Sequence, residues 1–491
     1  MFLSFDATNL SSPPAPGLDW VETETSGLDL GDARLNRRQR QLLERCFTQC
    51  SQSIPGACQG AAEVKAAYRF LEHAKVTVAN ILSPHLHATA QRARQQPVVL
   101  AVQDTTSLDF TGKAVAAELG PLEASTHRGL FVHATLAVTP ERVCLGLVAV
   151  KLHVRETASA QVDHHALPFA AKESVRWRES YLAACRLAQA APQTRVVSVA
   201  DREGDIYELY QAVAAQGTAP RAEYVVRAAQ NRRARVTDTE GVARLTKAWD
   251  AVATLPVCGE VTYTLAKTAT RAARTVTQTL QAGTVTLVPP SRPAAADALT
   301  PVAVQLVLLR EAAPPPGETP LEWLLVTTLP VDTPAAALEV VRYYLCRWEV
   351  ELYFKVLKSG CQVEKLYLST RERLRKCLAL YLIIAWRVLY VARLGAACPA
   401  LPCTALFDTA EWHAVVLMST RQPPAETPPS LGELVRMIAG FGSYVGRPGD
   451  GHPGITSLWI GLQRAMDFAR AYETFGPGTP LATQLTVQRR R

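Results

Sequence analysis

This 491-residue chain is short of several features, and each shortage closes off a class of protein. It has no long uncharged apolar run. The most hydrophobic stretch, Leu378 to Ala397, is interrupted by Arg387 and Arg393, whereas a membrane span needs roughly 20 residues with few or no charges. A buried helix is therefore expected, and no membrane partner. The opening MFLSFDATNL lacks a basic region followed by an apolar one, so no signal peptide is expected. The 11 cysteines are odd in number and never form a CxxC pair. Cys46, Cys50 and Cys58 come closest together, but no histidine pair follows at zinc-finger spacing. Reduced thiols and a cytoplasmic location follow as expectations. No internal repeat is present, which argues against a solenoid or propeller. Net charge is only +8, compatible with a polyanionic partner without requiring one.

What is present is a chain 48% hydrophobic, enough for real cores, and long enough for roughly two to four domains. The first 25 or so residues, rich in Pro, Ser and Thr, read as a loose lead-in. From about Leu28 to Arg94 the pattern is helical. LGDARLNRRQRQLLERCFTQC carries Leu35, Leu42, Leu43 and Phe47 on one face and Arg34, Arg37, Arg38, Arg40 and Arg45 elsewhere. That is a basic amphipathic helix, suited to DNA phosphates or simply to water.

The texture changes at Pro97. VVLAVQDTTSLDF reads as a covered strand ending near Asp104, and strands follow at FVHATLAVT and VCLGLVAVKLHV. Lys172 to Ala191 reads as helix. RVVSVADREGDIYELY repeats the first theme, with an apolar strand delivering Asp201 before Gly204 and a helix. In an open α/β sheet, chemistry gathers at the carboxyl ends of strands. From about 222 to 330 the runs EYVVRAA, VTYTLAK, VTQTLQ, TVTLV, VAVQLVLL and WLLVTTL are β-branched, punctuated by Pro-rich loops at VPPSRPAAAD and REAAPPPGETP. This block reads as a β insertion. The chain then turns helical at RERLRKCLALYLIIAWRVLYVARL, LGELVRMIAGFG and SLWIGLQRAMDFARAYETF, and ends in Gln488-Arg489-Arg490-Arg491.

The stretch from Tyr344 to Lys358, YLCRWEVELYFKVLK, has no Gly or Pro and reads as one helix with Leu345, Trp348, Leu352 and Val356 as its apolar positions. With Tyr344 at zero on a helical wheel, Arg347, Glu351 and Lys358 fall near ~300°, ~340° and ~320°. Glu349 points away, near ~140°. A carboxylate among an arginine, a phenol and a lysine suits a metal ion beside a phosphate. A solvated face with an Arg347–Glu351 ion pair is the alternative. Asp104, Asp201 and Glu351 are the candidate metal ligands, since hard divalent cations take oxygen donors. Paired glycosidase carboxylates compete for the same acids, but leave the basic residues around Glu351 unexplained.

The spacing Tyr-x2-Arg-x3-Glu-x6-Lys at Tyr344, Arg347, Glu351 and Lys358, with QDTTSLDF around Asp104 and ADREGDI around Asp201, resembles the IS-four group of DDE transposases, which includes the Tn-five transposase. DLGDARLNRR and AAYRFLEH resemble its DNA-binding segment. RGLFVHATL, KESVRW, YVVRAAQNRR, GETPLEWLLVTTLPV and GITSLWIGLQ resemble later blocks. The resemblance implies an α/β, RNase H-like catalytic core over 95–375 with a mainly β insertion at about 222–330. It implies a helical DNA-binding domain at 1–94 and a helical dimerisation domain at 376–491. It implies two Mg2+ or Mn2+ ions on Asp104, Asp201 and Glu351, and phosphate contacts from Tyr344, Arg347 and Lys358. Trp323 matches a tryptophan that receives a flipped base, and Arg227 a basic residue near the ends. Trp348 is expected to pack rather than to contact DNA. The implied activity is cut-and-paste transposition through a hairpin, on double-stranded transposon ends and target DNA, by a homodimer in a paired-end complex associated with a bacterial nucleoid. A DNA-binding derivative without catalysis, and a structure-selective nuclease on the same core, are the alternatives.

Overall fold

The computed structural model describes residues 2–4, 19–124, 126–156, 167–215, 221–237, 242–265, 272–290 and 299–477. Much of the expected lead-in, most of VPPSRPAAAD and residues 488–491 lie outside the described residues. Two ordered pieces of the lead-in correct the expectation of loose chain. Strand β1 (Phe2–Ser4) adds to the edge of the central sheet, and helix α1 (Trp20–Glu24) is capped by Asp19, which accepts from the Glu22 N–H.

The N-terminal helices are α2 (Ala33–Thr48), α3 (Ile54–Ala57), α4 (Ala61–Glu72) and α5 (Val78–Arg94). In α2, Leu42, Leu43, Cys46 and Phe47 recur at helical spacing and are buried. Arg34, Arg37 and Arg40 lie on the exposed side, with Arg38 half-buried beside Gln41.

The core sheet follows. Its elements are β2 (Val98–Asp109), the short β3 (Gly120–Pro121), β4 (Arg128–Val138), β5 (Cys144–His153), α6 (Val175–Ala190), β6 (Arg195–Ala200), α7 (Tyr207–Ala214) and β7 (Glu223–Arg227). Strands lie in the order β5-β4-β2-β6-β7. The first three pair antiparallel, and β2, β6 and β7 run parallel. This mixed sheet is the RNase H-like core that the motifs implied.

The β segment comprises β8 (Arg233–Thr237), β9 (Ala243–Lys247), α8 (Ala248–Ala253), β10 (Gly259–Leu265), β11 (Arg274–Leu287), β12 (Val302–Glu311) and β13 (Glu322–Thr327). Because β13 pairs antiparallel with β7, the segment extends the core sheet. β8, β9 and α8 carry no strong sequence signal. VTQTLQ and TVTLV form one strand, β11, not two. Gly283 between them marks a close approach, since a Cβ there would stand 2.4 Å from Leu255 Cδ1.

The C-terminal half contains α9 (Pro334–Leu345), α10 (Trp348–Lys355), α11 (Arg371–Ala397), α12 (Thr409–Thr420), α13 (Leu431–Phe441) and α14 (Ile455–Phe475). α11 is long and apolar enough to cross a membrane by length and composition, but 78% of its most apolar stretch is buried inside the protein. Its Trp386 indole N–H reaches the Cys144 carbonyl of β5 at 2.8 Å. α12 escapes the sequence reading because TAEWHAVVLMST has no clean apolar stripe; an Asp408–Glu411 capping box starts it.

The single helix expected from Tyr344 to Lys358 is the main correction. α9 ends at Leu345, and Cys346 and Arg347 form a tightened joint whose N–H groups bond to Tyr343 and Tyr344 carbonyls. Cys346 also leans on the Pro140 carbonyl. After α10 the chain makes a π turn, Val356–Gly360, closed by Cys361 N–H to Val356 O at 2.8 Å. The wheel therefore misplaces Leu345 and Trp348, while Val356 is buried and Glu349 points away as expected. Leu345 and Trp348 are 36% and 54% exposed, while Val350, Tyr353 and Leu357 are fully buried. Nothing local signals the joint, because tertiary contacts impose it.

Candidate active site

Asp104 and Asp201 lie at matching register on neighbouring parallel segments. The parallel ladder of β2 and β6 ends at Val102 opposite Val199, two residues before each aspartate. Asp104 is not at a strand end as expected: β2 continues to Asp109 against β4. It sits where β6 stops, which opens one face of β2. Asp201 ends β6 and caps the next turn, accepting from the Glu203 N–H at 2.9 Å.

Glu351 comes from α10. Arg347, in the joint before α10, bridges two of the acids: Nη1 donates to Asp104 Oδ2 at 3.1 Å and Nη2 to Glu351 Oε1 at 2.6 Å. The Arg347–Glu351 ion pair is thus real, but it is half of a bridge. Glu349, two residues away, faces elsewhere, fully buried and gripped by Arg393 at 2.6 and 2.8 Å.

The electrostatics show how close the acids are. Burial, then the nearby Asp201 charge, push the Asp104 carboxyl up to about 7, with Glu351 adding to the push and the Thr105 N–H and Arg347 opposing it. Among the described residues, no group of three or more His, Cys, Asp or Glu side chains stands ready to hold a metal ion. The donor chemistry still fits a hard divalent cation: all three side chains are carboxylates, and Asp104 feels the charges of both Asp201 and Glu351.

A basic and aromatic wall adjoins the acids. The Arg347 guanidinium lies 6.0 Å from the Tyr344 ring, Tyr344 meets Trp323 edge-on at 5.8 Å, and Arg227 covers Trp323 at 5.3 Å. Cross-strand pairing sets this up, because Arg227 on β7 is opposite Leu325 on β13. Burial first, then Arg202 and Arg347, push the Arg227 guanidinium below its usual range. Three guanidiniums near one another make a place for polyanion. Exposed Arg202 was overlooked in the sequence, although it directly follows Asp201. Lys358, in the π turn, donates to the Ser107 carbonyl on β2 at 3.0 Å. Arg34, Arg37, Arg38 and Arg40 belong to α2 and take no part in this cluster. Trp348, expected to pack, is more than half exposed and available to a partner surface.

Comparison with known families gives three matches: "Transposase DNA-binding" over residues 18–76, "Transposase DDE domain" over residues 183–387, and "Transposase Tn5 dimerisation domain" over residues 383–474. The DDE match contains Asp201 and Glu351, and Asp104 precedes it. Among solved structures, a cryo-EM piggyBac transposase synaptic complex with hairpin DNA is 9% identical, at a TM-score of 0.34, covering 95% of this chain and 81% of that one.

Proposed function

Since the chain belongs to the Tn5-like DDE transposases, we propose that it moves its element by cutting and pasting, with Asp104, Asp201 and Glu351 as its catalytic acids. It is a DNA-binding, dimer-forming transposase. In the proposed organisation, residues 1–94 bind the ends, 95–375 carry the chemistry with the β segment at about 222–330 inserted, and 376–491 pair two copies. The substrate is the terminal inverted repeats of the element, held as a paired-end complex.

The observation that carries this reading is the placement of two aspartates at matching register just past the β2–β6 ladder, with Arg347 tying Asp104 to a glutamate from α10. DDE transposases generally use divalent metal ions. Two Mg2+ or Mn2+ ions would be held by the three acids, and would supply positive charge for the attacking and leaving oxygens of an in-line displacement. The chain's own residues do the rest. Arg347, with a planar fork, and Lys358, as a point charge, orient the phosphate beside the acids. Trp323 and Tyr344 give an aromatic face to a base that leaves the stack when the end folds into a hairpin. Arg227 neutralises the strand that the bend brings close. Water makes the first nick, the freed 3′-hydroxyl attacks the opposite strand, water reopens the hairpin, and the new 3′-end joins target DNA. Every step is a phosphoryl transfer that the same acids can serve. On α2, Arg34, Arg37, Arg38 and Arg40 would meet phosphates of the end.

The test is incubation of the protein with element-end DNA and a target plasmid in Mg2+, scoring cleavage and joining separately. Hairpin, double-strand break and joined product are expected. Cleavage without joining would make it a nuclease, and binding without cleavage a DNA-binding derivative.

A further inference from the structure

We propose that Arg176 and Trp177, at the start of α6, are positioning residues that set the spacing of Asp104 and Asp201 from behind the sheet. The proposal rests on the reading of these acids as the metal-binding pair. Both aspartates lie two residues past the last β2–β6 pair, so that ladder does not fix their separation, although β4 still pairs with Asp104. Their charges also repel, which favours a wider gap. Something outside the ladder must hold the two segments together.

Side chains alternate along a strand. Asp104 faces Arg347 on α10, so Gln103 and Thr105 face the other way, towards α6. There the Arg176 guanidinium reaches both acidic segments. Nε donates to Thr105 Oγ1 at 3.0 Å, next to Asp104. Nη2 donates to Glu203 Oε2 at 2.9 Å. Glu203 is the residue whose N–H holds the Asp201 carboxylate. Nη1 is occupied by the Glu173 carbonyl at 3.0 Å, so the whole fork is used. A lysine has one point of attachment and cannot span these partners.

Trp177 makes a second, independent dock. It is buried, and it lies against Gly204 at the end of the Asp201 turn. A Cβ on Gly204 would stand 2.6 Å from Ala200 Cβ and 3.3 Å from Trp177 Cε3, so only glycine lets the turn seat there. The hydroxyl of Thr105 is oriented as well. It accepts from Arg176, and because His133 Nε2 faces the acceptor Gln103 Oε1 and Ser180 Oγ at 2.9 Å, the neutral ring's one N–H lies on Nε2 and Thr105 donates to Nδ1 at 2.8 Å. The His133 ring stands edge-on to Trp177 at 4.8 Å, which closes the network.

The test compares Arg176→Lys and Thr105→Val with wild type and Asp104→Ala. Mn2+ affinity of the full-length protein without DNA is read by electron paramagnetic resonance, melting temperature by calorimetry, and cleavage on end DNA. Groups that orient metal ligands typically change affinity or rate about 10- to 100-fold. Arg176→Lys is expected to weaken Mn2+ about tenfold and to slow cleavage at least as much, with the melting transition retained. Thr105→Val, which keeps the shape but removes the hydroxyl, is expected to weaken Mn2+ in the same direction, and answers the question if Arg176→Lys does not fold. Unchanged Mn2+ affinity in the folded variants, with Asp104→Ala losing it, would overturn the positioning role and leave the metal site standing. Wild-type Mn2+ affinity in Asp104→Ala would overturn both.

Discussion

Glu24 and Asp104 are both carboxylates tied to an arginine, one between the N-terminal helices and the sheet, the other at the acidic site. Glu24 is 1% exposed, and accepts from Arg92 Nη1 at 2.6 Å and from His85 Nδ1 at 2.5 Å. Leu147 N–H donates to the other nitrogen of His85, so His85 is neutral with its proton on Nδ1. Burial alone would raise Glu24, but Arg92 and His85 outweigh it and bring it down to about 2. At Asp104, burial and the neighbouring Asp201 win over Arg347, and the carboxyl rises to about 7. Each carboxylate is bonded to one guanidinium. What differs is the company: a lone glutamate with both oxygens engaged, against Asp104, which shares its guanidinium with Glu351 and feels the Asp201 charge. The first is a closed structural cluster. In the second, burial and the Asp201 charge disfavour the Asp104 carboxylate, the kind of perturbation that gathers at functional sites.

The sharpest way to break this contrast is to remove the acids. We predict that Asp104→Ala, Asp201→Ala or Glu351→Ala each lowers end cleavage by roughly 10³-fold or more, about 4 kcal/mol in barrier. End binding should survive in a band-shift assay. A variant that cleaves at the wild-type rate removes its residue from the site.

The closed cluster should fail differently. Glu24→Gln leaves Arg92 and its surroundings without the carboxylate, and breaking a buried pair costs about 3–5 kcal/mol. The expected signature is a lower midpoint in urea with no selective effect on any step of the reaction. The pH sign follows from the depressed value. Glu24 contributes stability that is fully present above 4.5 and is lost as pH falls towards about 2. The gap between wild type and Glu24→Gln should therefore close across that window, and a gap that stays constant would deny the pairing its strength.

The two clusters also differ in how readable they were. The two aspartates were legible because each sits in a polar motif that interrupts an apolar run, and the strands as apolar runs between polar loops; the RNase H-like arrangement came from the family resemblance of those motifs. Glu24 was not legible: its partners are 61 and 68 residues away, and nothing local marks it. The α9–α10 joint was hidden for the same reason, since Asp104 and Pro140 hold Arg347 and Cys346 from another part of the chain. β8, β9 and α12 were missed because two short, largely exposed strands and a mixed-face helix lack a clean period.

A subtler test concerns stability at the acidic site. Asp104 is raised from 3.8 to about 7, so the folded state holds an extra proton between those values and stability falls as pH rises through the window. Above about 7 the penalty is complete. Asp104→Asn removes the charge, and should stabilise the metal-free protein by about 1–3 kcal/mol at alkaline pH, with the gain shrinking towards acid. Added Mn2+ should raise the melting temperature of wild type more than that of the variant. A variant less stable than wild type at alkaline pH would show that the Arg347 bridge outweighs the repulsion.

The smallest expected effect separates the two arginines. Arg92 serves one carboxylate, whereas Arg347 serves two and stands beside Tyr344 and Trp323. If Arg347 grips phosphate in the bent end, its planar fork matters only once the DNA has folded back, and unstacking a base there costs a few kcal/mol. Contacts present only in that bent state offset the cost. Arg347→Lys keeps the charge but loses the fork. We predict that it slows hairpin formation about tenfold more than first-strand nicking, about 1.4 kcal/mol of selective barrier. Trp323→Ala should do the same by removing the face on which the base stacks. Arg92→Lys, by contrast, should lower the melting temperature and scale nicking and hairpinning together, because it acts only through the folded fraction. The assay is a gel time course on end-labelled DNA that resolves nicked, hairpin and broken species. Equal slowing of both steps by Arg347→Lys and Trp323→Ala would reduce them to general supports of the site, like Arg92, and the distinction between the two arginines would disappear.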